Sequence, residues 1–134
     1  MANETLKISR LYKDLDLSFT ANPVTGDVSK KIDVNAVKQS LNVLMQTNFY
    51  ERPFAPEKGA NLRGYLFEPM SSLLAGIIQT TIKNMIDSYE PRARIETISV
   101  TPNYDTNTYN VELRYFVVGI SNPQTLVANL KRLR

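Results

Sequence analysis

The hydrophobic pattern is strongest between residues 71 and 89, where apolar side chains recur on one face at helical spacing. They are Leu73, Leu74, Ile77, Ile78, Ile82, Met85, Ile86 and Tyr89. Such spacing is typical of an amphipathic helix with one face in the core. Pro91 ends the pattern because it lacks a backbone N–H and moves residue 90 out of the helical region. The sequence therefore predicts a helix over 71–89, with Glu90 at its C-terminus.

Two further helices and one loop are predicted before residue 71. Asp33 is a suitable N-cap for a helix with Val34, Val37, Leu41, Leu44 and Met45 on its core face. Periodicity then disappears over 47–59, where two prolines flank Phe54. We expect Phe54 to be mostly buried and to hold this loop on the domain. Residues 61–67 follow as a short helix that buries Leu62, Leu66 and Phe67.

Alternating apolar and polar residues predict strands on both sides of these helices. A short strand with Leu15, Leu17 and Phe19, a turn over 22–26 and a strand over 28–32 make a hairpin. Residues 97–101 form a strand, and 102–107 form a turn. The clearest strand follows, with its apolar side at Tyr109, Val111, Leu113, Tyr115 and Val117.

The two ends of the chain are open to more than one interpretation. Residues 1–14 suit a short helix or an extended arm. Leu126, Val127, Leu130 and Leu133 fit a helix, yet residues 123–134 could equally be an extended basic strand or tail. The sequence as a whole predicts one α+β domain over 1–134, with two to three helices on a small, mostly antiparallel sheet.

Composition excludes several kinds of chemistry. There is no cysteine and no histidine, which removes disulfides, thiolate nucleophiles, serine–histidine catalysis and nearly all zinc sites. We expect no metal, no cofactor, no membrane span and no secretory signal. The net charge is +3, and Lys131, Arg132 and Arg134 account for all of it. A neutral body argues against a nucleic-acid groove.

Glu90 stands in an unfavourable local position. A carboxylate at a helix C-terminus is disfavoured by the helix dipole by about 0.3–1 kcal/mol. Residue chemistry alone favours a simple explanation, an exposed Glu90 neutralised by Arg92 or Arg94. The alternative is a binding partner for this residue.

Four short motifs occur in a recognisable order: Arg52–Gly59, Leu66–Met70, Tyr89–Arg92 and Asn122–Pro123. With them, residues 10–134 resemble the baseplate wedge and sheath-initiator proteins of contractile phage tails, a family sometimes labelled lysozyme-like, with relatives in type VI secretion baseplates. The family's usual Pro-Glu-Phe-Gly is Pro-Glu-Lys-Gly here, and Ala93 replaces an aliphatic residue after the Glu-Pro-Arg motif.

The resemblance implies a structural protein of the virion tail baseplate, assembled in the bacterial cytoplasm, monomeric alone and present in several copies in the baseplate. Its expected partners are other wedge proteins and the tail sheath, with no nucleic acid and no membrane. Glu90, Pro91 and Arg92 would dock on the wedge core, which makes the interaction interpretation of Glu90 the favoured one. The resemblance also favours a strand over 125–131.

A sheath template needs an open strand edge. We expect the 109–118 strand and the segment after Pro123 to supply it, through Tyr109, Val111, Leu113, Tyr115, Val117, Leu126, Val127, Lys131 and Arg132. Deleting 123–134 should leave a folded protein that joins the wedge but does not nucleate sheath. The alternative is a frayed basic tail without a partner. Truncating Glu90 or Arg92 should change monomer stability by at most about 1 kcal/mol and docking by about 2–5 kcal/mol.

Two other functions compete with this one. A muramidase needs two carboxylates about 5 Å apart, which could come from Glu51, Glu57, Glu68 and Glu90, but the chain has no tryptophan for a sugar cleft. We therefore expect no enzyme. A nucleic-acid module could use the basic tail with Lys30, Lys31, Arg92 and Arg94, although charge clusters this short usually mark solvated surface.

Overall fold

The structure, a computed structural model, describes residues 12–133. Its elements in chain order are the strands β1 (Lys13–Leu15) and β2 (Lys30–Ile32), the helices α1 (Asp33–Gln46), α2 (Arg63–Leu66) and α3 (Ser72–Tyr89), and the strands β3 (Ala93–Asn103), β4 (Thr108–Val117) and β5 (Gln124–Lys131). This confirms the predicted α+β class. No helix within the described residues is both long and apolar enough to cross a membrane.

Two antiparallel sheets hold the strands. β1 and β2 form a hairpin, whereas β3, β4 and β5 form a three-stranded sheet with β4 in the middle. The hairpin was predicted, but its first strand lies earlier than expected, since Leu17 and Phe19 are exposed and Phe19 has φ +53°. Leu17 and Phe19 lie in a turn and not in a strand. Phe19 N donates a hydrogen bond to Asp16 O at 3.1 Å, so the chain folds back on Asp16.

The core lies between the helices and one face of the larger sheet. α3 packs on β3, and α1 packs on α3 and β4. The alternation predicted for the clearest strand is confirmed, because Tyr109, Val111, Leu113, Tyr115 and Val117 are all buried. Leu126 of β5 is buried beside them, which shows that β5 completes the core face of the sheet. The ambiguous C-terminal segment is thus a strand, and the helical alternative is wrong.

α3 begins one residue later than predicted and ends at Tyr89 as predicted, but its buried face is narrower than predicted. Ser71 caps the helix, since its Oγ accepts a hydrogen bond from Leu74 N at 3.1 Å. Leu74, Ile78, Ile82, Met85 and Ile86 are buried, whereas Leu73 and Ile77 are exposed. The sheet and α1 cover a single stripe of the helix, and Leu73 and Ile77 fall outside it.

Asp33 does not cap α1, although the core face predicted for that helix is correct. Ile32 occupies the N-cap position, and Asp33 is the first helical residue. The Asp33 side chain instead accepts a hydrogen bond from Tyr12 N at 3.3 Å, while Asp33 N donates to Tyr12 O at 2.8 Å. Asp33 therefore fixes the start of β1 against α1.

The loop over 47–59 folds without a buried aromatic side chain. Phe54 is fully exposed, at 102%, so the prediction that it anchors the loop is wrong. Backbone contacts hold the loop instead: Gly59 lies so close to Thr47 that a Cβ at Gly59 would collide with Thr47 O. In the short helix α2, Leu62 and Leu66 are buried as predicted, but Phe67 is exposed.

Candidate functional site

Glu90 and Arg92 form a bidentate ion pair immediately after α3. Glu90 is the C-cap of the helix, and Arg92 directly precedes β3. Arg92 Nε donates to Glu90 Oε1 at 2.7 Å, and Arg92 Nη2 donates to Glu90 Oε2 at 3.0 Å. Two parallel bonds of this kind are the strongest geometry available to an arginine and a carboxylate. Pro91 lies between them and is exposed.

Residues from two other elements complete this ion-pair network. Ser40 of α1 donates its hydroxyl hydrogen to Glu90 Oε2. Arg92 Nη1 donates to both carboxylate oxygens of Asp14 in β1, at 3.3 and 3.2 Å. The Arg92 guanidinium lies 5.6 Å from the ring centroid of Tyr12, within cation–π range. The network of Asp14, Ser40, Glu90 and Arg92 therefore joins the hairpin, α1, the end of α3 and the start of β3.

The electrostatics of the network keep Glu90 ionised. Burial alone raises the pKa of Glu90, but the hydrogen bonds from Arg92 and Ser40 outweigh burial and hold this pKa below its ordinary value. The bond to Glu90 raises the pKa of Arg92 in turn. A general acid in a glycosidase requires a raised carboxyl pKa. Glu90 is perturbed in the opposite direction, so the arrangement suits an ion pair and not proton donation.

The structure corrects the expectation for Glu90 exposure. Glu90 is only 3% exposed, so the exposed ion pair is wrong, although the pairing with Arg92 is confirmed. The same burial removes the premise that both side chains contribute little to folding. The unfavourable helix-terminal position is compensated inside this chain, by Ser40 and Arg92. Sequence reasoning missed Ser40 and Asp14 because they lie far from the motif along the chain and no local pattern marks them.

A groove lies next to this network, between the hairpin and α1. It has a volume of about 450 Å³ and is lined in part by Asp14 and Ser40 of the network, by Leu15 and Leu17, and by Arg52 from the loop over 47–59. Arg92 is about one-quarter exposed (24%) beside Asp14. The accessible charged groups of the network are therefore Arg92 and Asp14, while the buried Glu90 holds the Arg92 guanidinium in place.

The strand edges differ from the prediction in one respect. β4 is bonded on both sides, to β3 and to β5, so the prediction that the 109–118 strand supplies an open edge is wrong. Its apolar side chains form the core, which is why they alternate so clearly. The segment after Pro123 does form an edge strand, β5. Within it Leu126 is buried, whereas Val127 and Lys131 are exposed.

The residues after β5 are attached to the body of the protein. Arg132 Nε donates to Glu68 O at 3.2 Å, and Leu133 N donates to Leu66 O at 2.9 Å. These bonds join the end of β5 to the region around α2. Through residue 133 the alternative of a frayed tail is therefore wrong.

The candidate carboxylates of a muramidase differ in burial, and two of the candidate basic residues are paired with acidic side chains. Glu51, Glu57 and Glu68 are exposed, unlike Glu90. Among the basic residues, Lys31 lies 3.6 Å from Asp16, and Arg92 is paired as described. Within residues 12–133 there is no cluster of acidic or histidine side chains suited to a metal ion.

Comparison with known proteins defines the class of this protein. Residues 33–120 match the family described as baseplate wedge protein gp25. The protein of that name from Enterobacteria phage T4 is 35% identical over 119 residues, which cover 89% of this chain and 88% of the phage protein. A chain in a cryo-EM structure of the anti-feeding prophage baseplate is 24% identical, with a TM-score of 0.64 and coverage of 92% and 87%.

A second solved structure shares the fold, as the prophage baseplate chain does. The putative tail lysozyme from Geobacter sulfurreducens is 18% identical, with a TM-score of 0.67 over 73% of this chain and 89% of that one. Taken together, the fold and the matched sequence define a structural component of a contractile tail baseplate, located in the virion tail. The chain belongs to the baseplate wedge protein gp25 family.

Proposed function

We propose that this protein joins the wedge through the surface around Arg92 and presents β5 as a template on which the first ring of tail sheath pairs. The observation that carries the proposal is the position of β5 at an open edge of the sheet. An edge strand offers unpaired N–H and C=O groups to a strand from another chain. The wedge proteins and the sheath are thus its partners.

The direction of the backbone groups in β5 supports this role. Arg132 N donates to Asn107 O at 3.0 Å, on the β4 side of the sheet. Because backbone groups alternate in direction along a strand and the β4–β5 register is regular, Thr125, Val127, Asn129 and Lys131 direct their N–H and C=O groups away from β4. These four residues provide the free edge for strand addition.

The opposite edge, β3, is protected against the same pairing. A register shift between Ile95 and Thr97 interrupts its ladder, and Pro102 lies near its end. Bulges and prolines are two devices that prevent strand addition at an edge. β5 has neither. Its charged end, with exposed Lys131, discourages pairing between identical copies and would attract an acidic sheath surface.

The docking surface is proposed around Arg92 and Pro91, both of which a partner can reach. Glu90 is buried, so its contribution is to orient the Arg92 guanidinium. Nε, Nη1 and Nη2 of Arg92 all donate hydrogen bonds within the chain. Of these bonds, only those to Asp14 lie at the surface. A carboxylate of a wedge partner would therefore share or replace Asp14.

The sheath template can be tested without damaging the fold. Deleting 123–134 would remove Leu126 from the core and expose the edge of β4, so a single substitution is a better experiment. Val127→Pro removes one outward N–H, and proline is tolerated on an edge strand with its nitrogen toward solvent. We expect a folded protein that still joins the wedge but does not nucleate sheath. Val127→Thr retains the N–H and should nucleate normally. Normal sheath growth with Val127→Pro would refute the template.

Docking is tested with Arg92→Lys, which keeps the charge but loses the bidentate geometry. Binding to purified wedge proteins from the same tail gene cluster should weaken by about tenfold or more. Arg94→Lys is the matched control, because Arg94 is exposed two residues away. Equal affinity of both variants would remove Arg92 from the interface.

We also propose that the protein is not an enzyme, and that the lysozyme-like fold here has a structural use. The lowered pKa of Glu90 supports this. Clearing of a peptidoglycan suspension by the purified protein would contradict it. A mobility shift that weakens steeply with salt would instead indicate nucleic-acid binding.

A further inference from the structure

The loop over 47–59, here called the aromatic loop, exposes large apolar side chains that the fold does not use. Phe54 is 102% exposed and Tyr50 is 84% exposed, and Phe49 beside them is partly exposed. Single exposed apolar residues are ordinary on protein surfaces. Two nearly bare aromatic rings within five residues are not, because aromatic side chains are enriched at the centres of protein interfaces.

The aromatic loop is held rigidly although its rings are free. Its two ends meet, since Ala60 N and Asn61 N both donate to Thr47 O, at 3.2 and 3.3 Å. Within the loop, Tyr50 N donates to Pro56 O at 2.7 Å. Asn48 is joined to Glu51 through its backbone N–H at 3.1 Å and its side-chain amide at 2.8 Å. A partner would therefore meet a preformed loop and lose little conformational entropy on binding it.

The aromatic loop is continuous with the proposed docking surface. Tyr89 donates its hydroxyl hydrogen to Glu57 O at 3.0 Å, which fastens the loop to the last residue of α3, next to Glu90. Arg52 of the loop lines the same groove as Asp14 and Ser40. A protein that binds at Arg92 and along this groove would therefore reach the loop that carries Tyr50 and Phe54.

We propose that Phe54 and Tyr50 insert into an apolar pocket of the wedge protein that docks on Arg92. This inference rests on the proposed docking function and adds the chemistry of the partner: an uncharged recess that accepts a phenyl ring, with a polar rim facing Glu51 and Arg52. Arg92 supplies the charged contact and fixes orientation, while Phe54 supplies apolar area at the centre.

Charge distinguishes a protein partner from a membrane. Segments that bind anionic membranes combine aromatic residues with an excess of lysine and arginine. In the aromatic loop, Arg52 and Lys58 are balanced by Glu51 and Glu57. The loop therefore lacks the electrostatic attraction to lipid head groups, which favours the protein partner.

The test measures the affinity of the Phe54→Ala variant for the purified wedge proteins encoded in the same tail gene cluster. We expect an affinity loss of about tenfold or more with an unchanged melting temperature, because Phe54 buries nothing in the free protein. Phe67→Ala is the matched control, since Phe67 is also an exposed phenylalanine but lies outside the loop. Tyr50→Ser should weaken binding in the same direction.

The outcomes separate this inference from the function on which it rests. If Arg92→Lys weakens binding and Phe54→Ala does not, the aromatic contact is refuted and docking at Arg92 stands. If Phe54→Ala alone weakens binding, the aromatic contact stands and the role of Arg92 is refuted. Absence of binding by the wild-type chain refutes both. Binding of the wild-type chain, but not of Phe54→Ala, to anionic lipid vesicles would assign the loop to a membrane and overturn the inference.

Discussion

At the scale of single residues, Arg92 makes the burial of the Glu90 carboxylate tolerable. Arg92→Met removes the cation and leaves a charge buried with only Ser40 as a partner. Breaking a buried pair in this way costs about 3–5 kcal/mol, and we expect about 3 kcal/mol because Arg92 is partly exposed. Chemical denaturation measures this loss. Arg94→Met, at an exposed position, should change stability by less than about 0.5 kcal/mol. Equal, small losses would show that the network does not support the fold.

The pH dependence of stability should carry the signature of Glu90. Its folded-state pKa lies below the ordinary value of 4.5, so the folded protein releases this proton more readily than the unfolded chain does. The stabilisation is complete above about pH 4.5 and is lost as the pH falls through the folded pKa. Glu90→Gln should therefore be less stable at pH 7 but show a weaker decline in acid. Parallel curves for wild type and Glu90→Gln would contradict the assignment.

In the core, removal of a polar group from Tyr115 should not lower the stability of the protein, unlike the substitutions of Arg92 and Glu90. Its hydroxyl is buried and has no hydrogen-bond partner among the described residues, and burial raises its pKa. Since an unsatisfied buried hydroxyl costs about 1–3 kcal/mol, Tyr115→Phe should leave thermal stability unchanged or raised. Tyr109→Phe should lower it, because the Tyr109 hydroxyl accepts a hydrogen bond from Ser71 N at 3.3 Å. A clear loss of stability in Tyr115→Phe would indicate a partner for its hydroxyl.

At the scale of elements, the sequence predicts what apolar periodicity reports directly. α3 and β4 have nearly the bounds that their patterns predict, because a helix or strand with one face in a core must repeat its apolar residues at that spacing. Periodicity does not give the width of the buried face, which is why the prediction for Leu73 and Ile77 is wrong. Loops have no such periodicity. The prediction of a buried Phe54 rests on its aromatic character alone, which is why it is wrong.

The sequence could predict the position of some residues of the proposed site but not of others. Pro91 marks the end of α3, so Glu90 and Arg92 can be placed locally. Ser40 and Asp14 reach them only after α1 and the hairpin have packed, and nothing in the sequence near either residue signals that contact. The edge position of β5 also depends on strand order, which the structure gives. The central position of β4 depends on strand order, which one strand's pattern does not contain.

Replacement of Gly76 and of Gly59 by alanine should change the stability of the protein in opposite directions. Gly76 lies in α3 with open space where a Cβ would stand, whereas Gly59 has φ +140° and a Cβ there would collide with Thr47 O. Gly76→Ala should stabilise the protein by up to about 1 kcal/mol through helix propensity. Gly59→Ala should destabilise it by more than about 1 kcal/mol because the strain and the clash both oppose it. Thermal unfolding of the two variants should show shifts of opposite sign, and a stable Gly59→Ala would refute the closed loop.

At the scale of the whole molecule, the two proposed surfaces occupy opposite edges of one three-stranded sheet. Arg92 directly precedes β3, and β5 lies beyond β4, so the two edge strands are two strand spacings, or about 10 Å, apart. The buried face of β4 connects them, and its residues pack with those of the helices in one core. No described contact joins the Arg92 network to β5 directly. The molecule is therefore suited to hold one partner at each edge without passing a structural change between them.

This separation predicts that wedge docking and sheath nucleation are energetically independent. Substitutions more than about 7–10 Å apart that share no partner usually add within about 0.3–0.5 kcal/mol. We expect Val127→Pro to leave wedge affinity unchanged, and Arg92→Lys to leave sheath pairing unchanged once the protein is on the wedge. In wedge affinity, the double variant should therefore show the loss caused by Arg92→Lys alone. The measurement is a double-mutant cycle on wedge affinity, with sheath growth scored on assembled baseplates. A coupling larger than about 0.5 kcal/mol would show that docking at Arg92 alters the β5 edge, and that the sheet transmits wedge binding to the sheath.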